Sequence, residues 1–395
     1  MSVTKKPPRR LRKILSLDDF EPAARRHLPR PVFGYISGST ETGAAAQGSR
    51  AAADALHLVP RILTGHAQRD QSVTLFGRRY AHPFGIAPMG LSALAAYDGD
   101  VVLARAARDI GIPAVMSSTS LTMLERVAEE AGSTWFQAYF LGDNDHIDRM
   151  MDRIEAAGYD HLVVTADVPV PANRENNIRN GFEMPLRPGA RLAWQGVSHP
   201  RWLLGTAWRT LRTRGMPHFE SMAPDRGPPI LSRHVARSIG GRETLSWAHI
   251  ERVRARFKGR LIIKGVLAAD DAATARDLGC DGVIVSNHGG RQLDYALPAL
   301  EALPEIVDVA GEMEVMCDSG FRRGTDVLKA IALGARFVFV GRPFLYAAAI
   351  AGEAGVQHGA RLLSAEIDRN MAMLGTQRLD QIGPQHLRRA GPHPR

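Results

Sequence analysis

A chain of 395 residues, 45% apolar and 23% charged, is long enough to bury a large core and has the balance of a globular protein. No apolar run is long enough to span a bilayer, and none follows the basic N-terminus to make a secretory signal, so a cytoplasmic location is expected. The net charge of +9 points to an anionic partner, yet without zinc-finger spacing or a clustered aromatic platform the sequence gives no reason to expect nucleic acid.

Residues 1–15, basic from Lys5 to Lys13 and carrying Pro7 and Pro8, read as a disordered tail. Beyond them, short β-branched or apolar runs alternate with Ala/Leu/Arg-rich helical stretches. The runs are Phe84–Ala87, Ala114–Met116, Thr134–Ala138, Leu162–Val164, Leu261–Ile263, Val283–Val285, Val315–Cys317 and Phe337–Val340. Eight buried parallel strands predict an α/β fold, a (β/α)8 TIM barrel over residues 16–380 rather than an open sheet. Cys280 and Cys317 lie in or beside these runs and read as reduced core thiols. About 95 residues separate the fourth and fifth runs, too many for a structureless loop in a compact domain. Residues 176–245 are therefore expected to form an inserted lid or docking segment, and 381–395 a C-terminal tail.

The residues that end the strands carry the functional signal. They are Pro88-Met89-Gly90, Ser117-Ser118, Tyr139 with Gln137 inside the run, Thr165 and Asp167, Lys264, Ser286-Asn287-His288, Asp318, and Gly341-Arg342. In a (β/α)8 barrel the C-terminal ends of the strands build the active site. Caps on strand ends explain a lone Ser or Asp, but not Lys, His, Asp and Arg together. The sixth run continues as Ser286-Asn287-His288-Gly289-Gly290-Arg291-Gln292-Leu293-Asp294. A strand-end histidine can accept a proton near neutral pH. A guanidinium three residues on, past two glycines, can clamp a carboxylate.

This nonapeptide, with several motifs in the same order between about Leu17 and residue 380, resembles the FMN-dependent L-2-hydroxy acid dehydrogenase/oxidase family. The resemblance implies that His288 is the base and Asp167 the carboxylate that orients it. It implies that Arg291 and Arg174 hold the substrate carboxylate, with Tyr35 and Tyr139 lining the pocket. Lys264 matches the lysine beside the flavin N1–C2=O edge, and Pro88, Met89 and Gly90 the segment that approaches N5. Ser117, Gln137, Thr165 and Ser286 match polar flavin contacts. Asp318, Ser319, Gly320, Arg322, Gly341 and Arg342 match the phosphate and ribityl site, where barrel physics also expects a phosphate. No metal site is implied.

Some positions depart from the family. Thr119 stands where glycolate oxidases carry a tryptophan, which enlarges the pocket. Gly90 replaces the alanine common in the oxidases, Ser319 replaces the usual glycine, and Phe33-Gly34-Tyr35 lacks the usual acidic residue. The insertion has no acidic residue between Glu183 and Glu220. It holds Arg187, Arg191, Arg201, Arg209, Arg212 and Arg214, along with Trp194, Trp202 and Trp208. Tryptophan with arginine suits a lipid headgroup interface, and Arg201-Trp202-Leu203-Leu204 is similar to the segment that docks the membrane-associated lactate and mandelate dehydrogenases. The expectation is thus oxidation of a lactate- or mandelate-like L-2-hydroxy acid through FMN. The electrons would go to a quinone or other acceptor at the inner face of an anionic membrane, in a homotetramer by family analogy. The alternatives are an oxidase using O2 and a non-redox FMN isomerase.

Overall fold

The computed structural model describes residues 8–65, 67–132, 134–182, 189–232 and 241–389. All eight expected runs pair as parallel strands: β1 (Phe84–Ile86), β2 (Val115–Ser117), β3 (Trp135–Ala138), β4 (His161–Thr165), β5 (Arg260–Val266), β6 (Gly282–Val285), β7 (Glu314–Cys317) and β8 (Phe337–Val340). Neighbours in sequence are neighbours in the sheet, and β8 returns to β1 through Val338–Phe84. A bridge between Ile86 and Ala114, with the Ile86 N–H donating to the Pro113 carbonyl at 2.9 Å, closes the ring between β1 and β2. Most strand residues are buried because helices cover the outer face and side chains fill the inside. Cys280 and Cys317 are free thiols in this core, and burial pushes both up in pKa.

The helices that follow the strands include Gly99–Ile110 after β1 and Arg342–Leu374 after β8, the latter broken at Ala351–Gly352. At the N-terminal end of the barrel, the hairpin Val73–Leu75/Arg78–Tyr80 places Phe76 5.7 Å from the ring of Trp135, which stacks on His161 at 4.6 Å. That end is plugged, and the opposite end is open. Three leading helices, α1 (Phe20–His27), α2 (Arg30–Ser37) and α3 (Ala44–Asp54), carry the chain to the open end. There the Thr40 N–H donates to the Gly290 carbonyl at 3.0 Å.

Both ends of the chain are more anchored than expected. Leu11 is fully buried and Ile14 nearly so, and His358 Nε2 lies 2.9 Å from the Ile14 carbonyl. Two apolar side chains thus fix a stretch whose composition alone reads as disordered; residues 1–7 lie outside the described residues. Leu387–Arg389 pairs antiparallel with Leu56–Leu58, so residues 387–389 are anchored in a small sheet and not a free tail.

The insertion is helical in part, with helices at Glu175–Asn180, Ala190–Val197 and a continuous helical run from Pro200 to Arg214. Phe182, Phe219, Met222 and Ile230 form a second small core with Leu91 and Leu121 from the β1 and β2 loops. Trp202 donates its indole N–H to the Leu94 carbonyl at 2.7 Å. It is an anchor and not a lipid-facing group, whereas Trp194 and Trp208 are 66% and 58% exposed. Arg187 lies outside the described residues.

Candidate active site

The polar strand ends converge on one cleft at the open end of the barrel. Tyr35, Pro88, Met89, Gly90, Lys264 and His288 line it, together with Arg291, the Asp318–Arg322 loop, Gly341 and Arg342. The cleft and its mouth, open solvent included, span about 770 Å³. Ser117, Thr165 and Lys264 prove to be the last or near-last residues within their strands, because the hydrogen-bonded ladder continues past the apolar run.

His288 Nδ1 lies 2.9 Å from Asp167 Oδ1, and its Nε2 lies 3.3 Å from the Tyr139 hydroxyl. The residue sits at φ +57, a left-handed conformation fixed by its N–H donating to Ser286 Oγ at 3.0 Å. Burial lowers the His288 pKa, and although Asp167 opposes this, the net shift is downward. The imidazole is therefore neutral at neutral pH and able to accept a proton. Asp167 feels the opposite balance. Burial disfavours its charge, but His288 and Lys264 overcome this and hold its pKa below the usual carboxylate range.

Lys264 is 4% exposed, with Nζ 2.7 Å from Ser286 Oγ and 3.0 Å from Asp318 Oδ2. Burial works against its charge, yet Asp318 and Asp167 raise its pKa overall. The next residue explains how Lys264 and Asp167 come so close. Gly265 sits at φ +103 in a register shift of β5, and a Cβ there would meet Asp167 Cβ and Cγ at 2.5 Å.

Three guanidinium groups gather beside this pair. Arg291 donates to the carbonyls of Ile36 and Gly38 at 3.2 and 2.7 Å, and lies 5.3 Å over the Tyr35 ring. Arg342 donates to the same two carbonyls, each at 3.1 Å, and to Gly289 at 2.8 Å. The C-terminal end of α2 thus receives both cations, as its dipole favours. Arg174 donates to the Arg291 carbonyl at 3.1 Å and to Gln292 Oε1 at 2.5 Å. Burial, then Arg174 and Arg342, bring the Arg291 pKa down to about 9. A buried cation destabilised by two others marks a place for an anion. Gly290 makes the arrangement possible, since a Cβ there would lie 2.4 Å from the Ala46 nitrogen. Asp294 secures the same loop by accepting from Thr42 and Ala45 at the start of α3.

Ser319 occupies a left-handed conformation, φ +82, which glycine adopts without strain. Its hydroxyl compensates. It accepts from the Gly289 N–H at 3.0 Å and the Asn287 N–H at 3.2 Å, and donates to Asp318 at 2.9 Å, tying the β6 and β7 loops together. Gly90 and Thr119 are also linked, because a Cβ at residue 90 would come 2.1 Å from Thr119 Oγ1. Gln292, Asn287 and the Ile36 and Gly38 carbonyls are site components that the sequence did not single out. The first two lay inside the quoted nonapeptide, while a backbone carbonyl has no signature at all.

The family model for FMN-dependent dehydrogenases matches residues 24–389. The chain belongs to the FMN-dependent dehydrogenase family. Its relatives include the 4-hydroxymandelate oxidase of Amycolatopsis orientalis, 38% identical over 91% of this chain and 94% of that protein. The L-lactate dehydrogenase of Alcaligenes faecalis is also 38% identical, over 95% and 98%. Among solved structures, that of the monotopic membrane protein (S)-mandelate dehydrogenase superposes with a TM-score of 0.89 at 33% identity, covering 96% of this chain and 100% of that one.

FMN is the cofactor of this family, and the cleft fits it. Ser117 Oγ donates to Gln137 Oε1 at 2.9 Å, which leaves the Gln137 amide nitrogen buried without a partner, and Thr165 Oγ1 is buried without one too. Orphaned buried polar groups in a barrel mouth are satisfied by a ring that carries its own donors and acceptors. Ser117, Gln137, Thr165 and Lys264 would hold the ring there. On the other side of the cleft the Arg322 guanidinium donates, among the described residues, to the Phe321 carbonyl alone, at 3.2 Å, so it is freer than Arg342 to meet a phosphate.

Proposed function

We propose that the protein oxidises a small L-2-hydroxy acid, of the lactate or mandelate kind, to the 2-keto acid. The carrying observation is that Arg291 and Arg342 line the same cleft as a neutral histidine backed by a carboxylate, with Arg174 held on the Arg291 carbonyl and no carboxylate paired with the three guanidinium groups among the described residues. When bound, FMN supplies the two-electron acceptor. Arg291 and Arg174 fix the substrate carboxylate, and Tyr35 and Tyr139 line the pocket. His288 Nε2 takes one of the two protons that the alcohol loses, and Asp167 stabilises the imidazolium so formed. Lys264 would place positive charge beside the bound cofactor and so favour its reduced, anionic form. The relatives' substrates support a side chain larger than a hydrogen atom. The test is anaerobic bleaching of the yellow protein. L-Lactate or (S)-mandelate should bleach it and the D-enantiomers should not; equal bleaching by both hands, or by neither, overturns the reading.

Replacing Arg291 by lysine should lower kcat/KM about 100-fold with FMN content unchanged, because a point ammonium cannot serve the two α2 carbonyls and a carboxylate at once. Steady-state kinetics beside flavin absorbance reads both quantities.

We further propose that electrons leave to a quinone, with the insertion lying on an anionic membrane surface. No helix among the described residues is long and apolar enough to cross a membrane. Support comes from the outward Trp194, Leu204, Trp208 and Leu211, exposed on the insertion, and from the likeness to a monotopic membrane protein over its whole length. Stopped-flow reoxidation decides between acceptors: fast reaction with a quinone analogue and slow reaction with O2 is expected, and the reverse order would make the protein an oxidase. A homotetramer is proposed on family analogy alone.

A further inference from the structure

Three depressions run together between the Arg9–Leu11 turn, α1, the insertion helix at residues 200–214 and the helix that follows β8. Arg9, Arg10, Arg12, Lys13, Arg26 and Arg201 line them, and Arg10 lines all three. None of these six forms an ion pair or side-chain hydrogen bond among the described residues. Elsewhere surface arginines are commonly paired, as Arg149 is with Asp225 and Arg153 with Glu125.

The acidic groups at the cleft are already engaged. Asp98 binds Arg126 and Arg214 at 2.7 and 2.9 Å, and Asp19 accepts the backbone N–H groups of Leu15 and Ser16. Glu353 lies 3.8 Å from Arg105. His27, between two of the depressions, registers the convergence: burial lowers its pKa, and Arg10, Arg201 and His199 lower it further. The floor is apolar, formed by Val101, Ala348 and Ile350. The insertion helix that sends Arg201 and Arg209 into the cleft also carries the exposed Leu204, Trp208 and Leu211.

We propose that this cleft binds the phosphate of an anionic phospholipid headgroup. Unpaired guanidinium groups suit a phosphate, and the apolar floor suits the first methylene groups of an acyl chain. The assignment rests on the membrane reading above and adds a lipid preference to it. Arg10, which lines all three depressions, and Arg201, which lines two of them from the insertion helix, are the central ligands.

The test uses the purified FMN-loaded full chain with vesicles of phosphatidylcholine, alone or mixed with phosphatidylglycerol. Arg10→Glu or Arg201→Glu should weaken binding to the mixed vesicles about tenfold or more. Arg61→Glu makes the same charge change at the far end of the last barrel helix, where the Arg61 N–H meets the Met373 carbonyl, and should have little effect. All three variants should keep their flavin and their turnover with a soluble acceptor. Equal weakening by all three would reduce the site to diffuse charge and overturn it. So would retained lipid binding with an altered oligomeric state, which would assign the face to a second copy of the chain. Saturable binding of inorganic phosphate lost in Arg10→Glu, with no preference between the vesicles, would reassign the cleft to a free anion. Wild-type protein that binds both vesicles equally leaves the insertion on a membrane surface but removes the headgroup site and the anionic character of that surface. Protein that binds neither removes both.

Discussion

His288→Gln is expected to remain yellow and folded while losing turnover by about 10²–10⁴-fold, the range a positioned general base contributes. The flavin contacts assigned to Ser117, Gln137, Thr165 and Lys264 do not involve the imidazole, so flavin content should not change. What disappears is the group whose Nε2 faces the cleft beside Tyr139 and whose Nδ1 is held by a carboxylate. The pH dependence of the parent enzyme has a defined sign. The base works when neutral, and burial holds its pKa below the usual histidine value. Activity should therefore be flat through neutrality and fall only on the acid side, as His288 protonates. A fall centred above the ordinary histidine range, or full turnover in the glutamine variant, would refute the assignment.

Lys264→Met is the second large effect, and it separates folding from cofactor binding. The substitution keeps the volume and removes a buried cation that neutralises Asp318 at 3.0 Å and acts on Asp167. Leaving buried carboxylates unpaired costs roughly 3–5 kcal/mol. The variant should melt well below the parent and purify with little FMN. Lys264→Met/Asp318→Asn should regain much of the lost stability, because the uncompensated charge is gone, yet remain poor in flavin and in turnover. Recovery of full activity in the double variant would make Lys264 a purely structural residue. Linkage gives a further check. The Asp167 pKa is depressed in the fold, so its stabilising contribution is present above the unfolded carboxylate pKa and is lost as pH falls through the folded value. In the absence of Lys264 that window shifts upward, and the stability gap between parent and variant should narrow in acid. Thermal melts across pH measure it.

Much of this was legible before any coordinates. Strands buried on both faces must be apolar throughout, so runs such as Leu261–Ile263 and Val283–Val285 announce themselves, and the ladder adds only a residue or two at each end. The His288–Arg291 segment was equally plain, because its residue types have few other uses at a strand end. Residues 8–15 depart from the compositional reading of the tail for a related reason. Composition averages over residues 1–15, whereas Leu11 and Ile14 act individually by finding a surface to bury against. Trp202 shows the same limit: its indole N–H serves the Leu94 carbonyl, a partner 108 positions away.

The order of residues by itself determined the barrel and the polar side chains at its open end, since periodicity and strand-end chemistry are local properties, while the cofactor class followed from the family resemblance of the His288–Arg291 segment. Only the folded chain decided how the charges balance there. The α2 carbonyls that hold Arg291 and Arg342 lie more than 250 positions from the guanidinium groups. Gly265 lets Lys264 and Asp167 meet across a strand bulge, and Ser319 ties two loops through a left-handed turn. Electrostatic and packing energies depend on separations in space, and a linear chain does not carry those until its long-range contacts have closed.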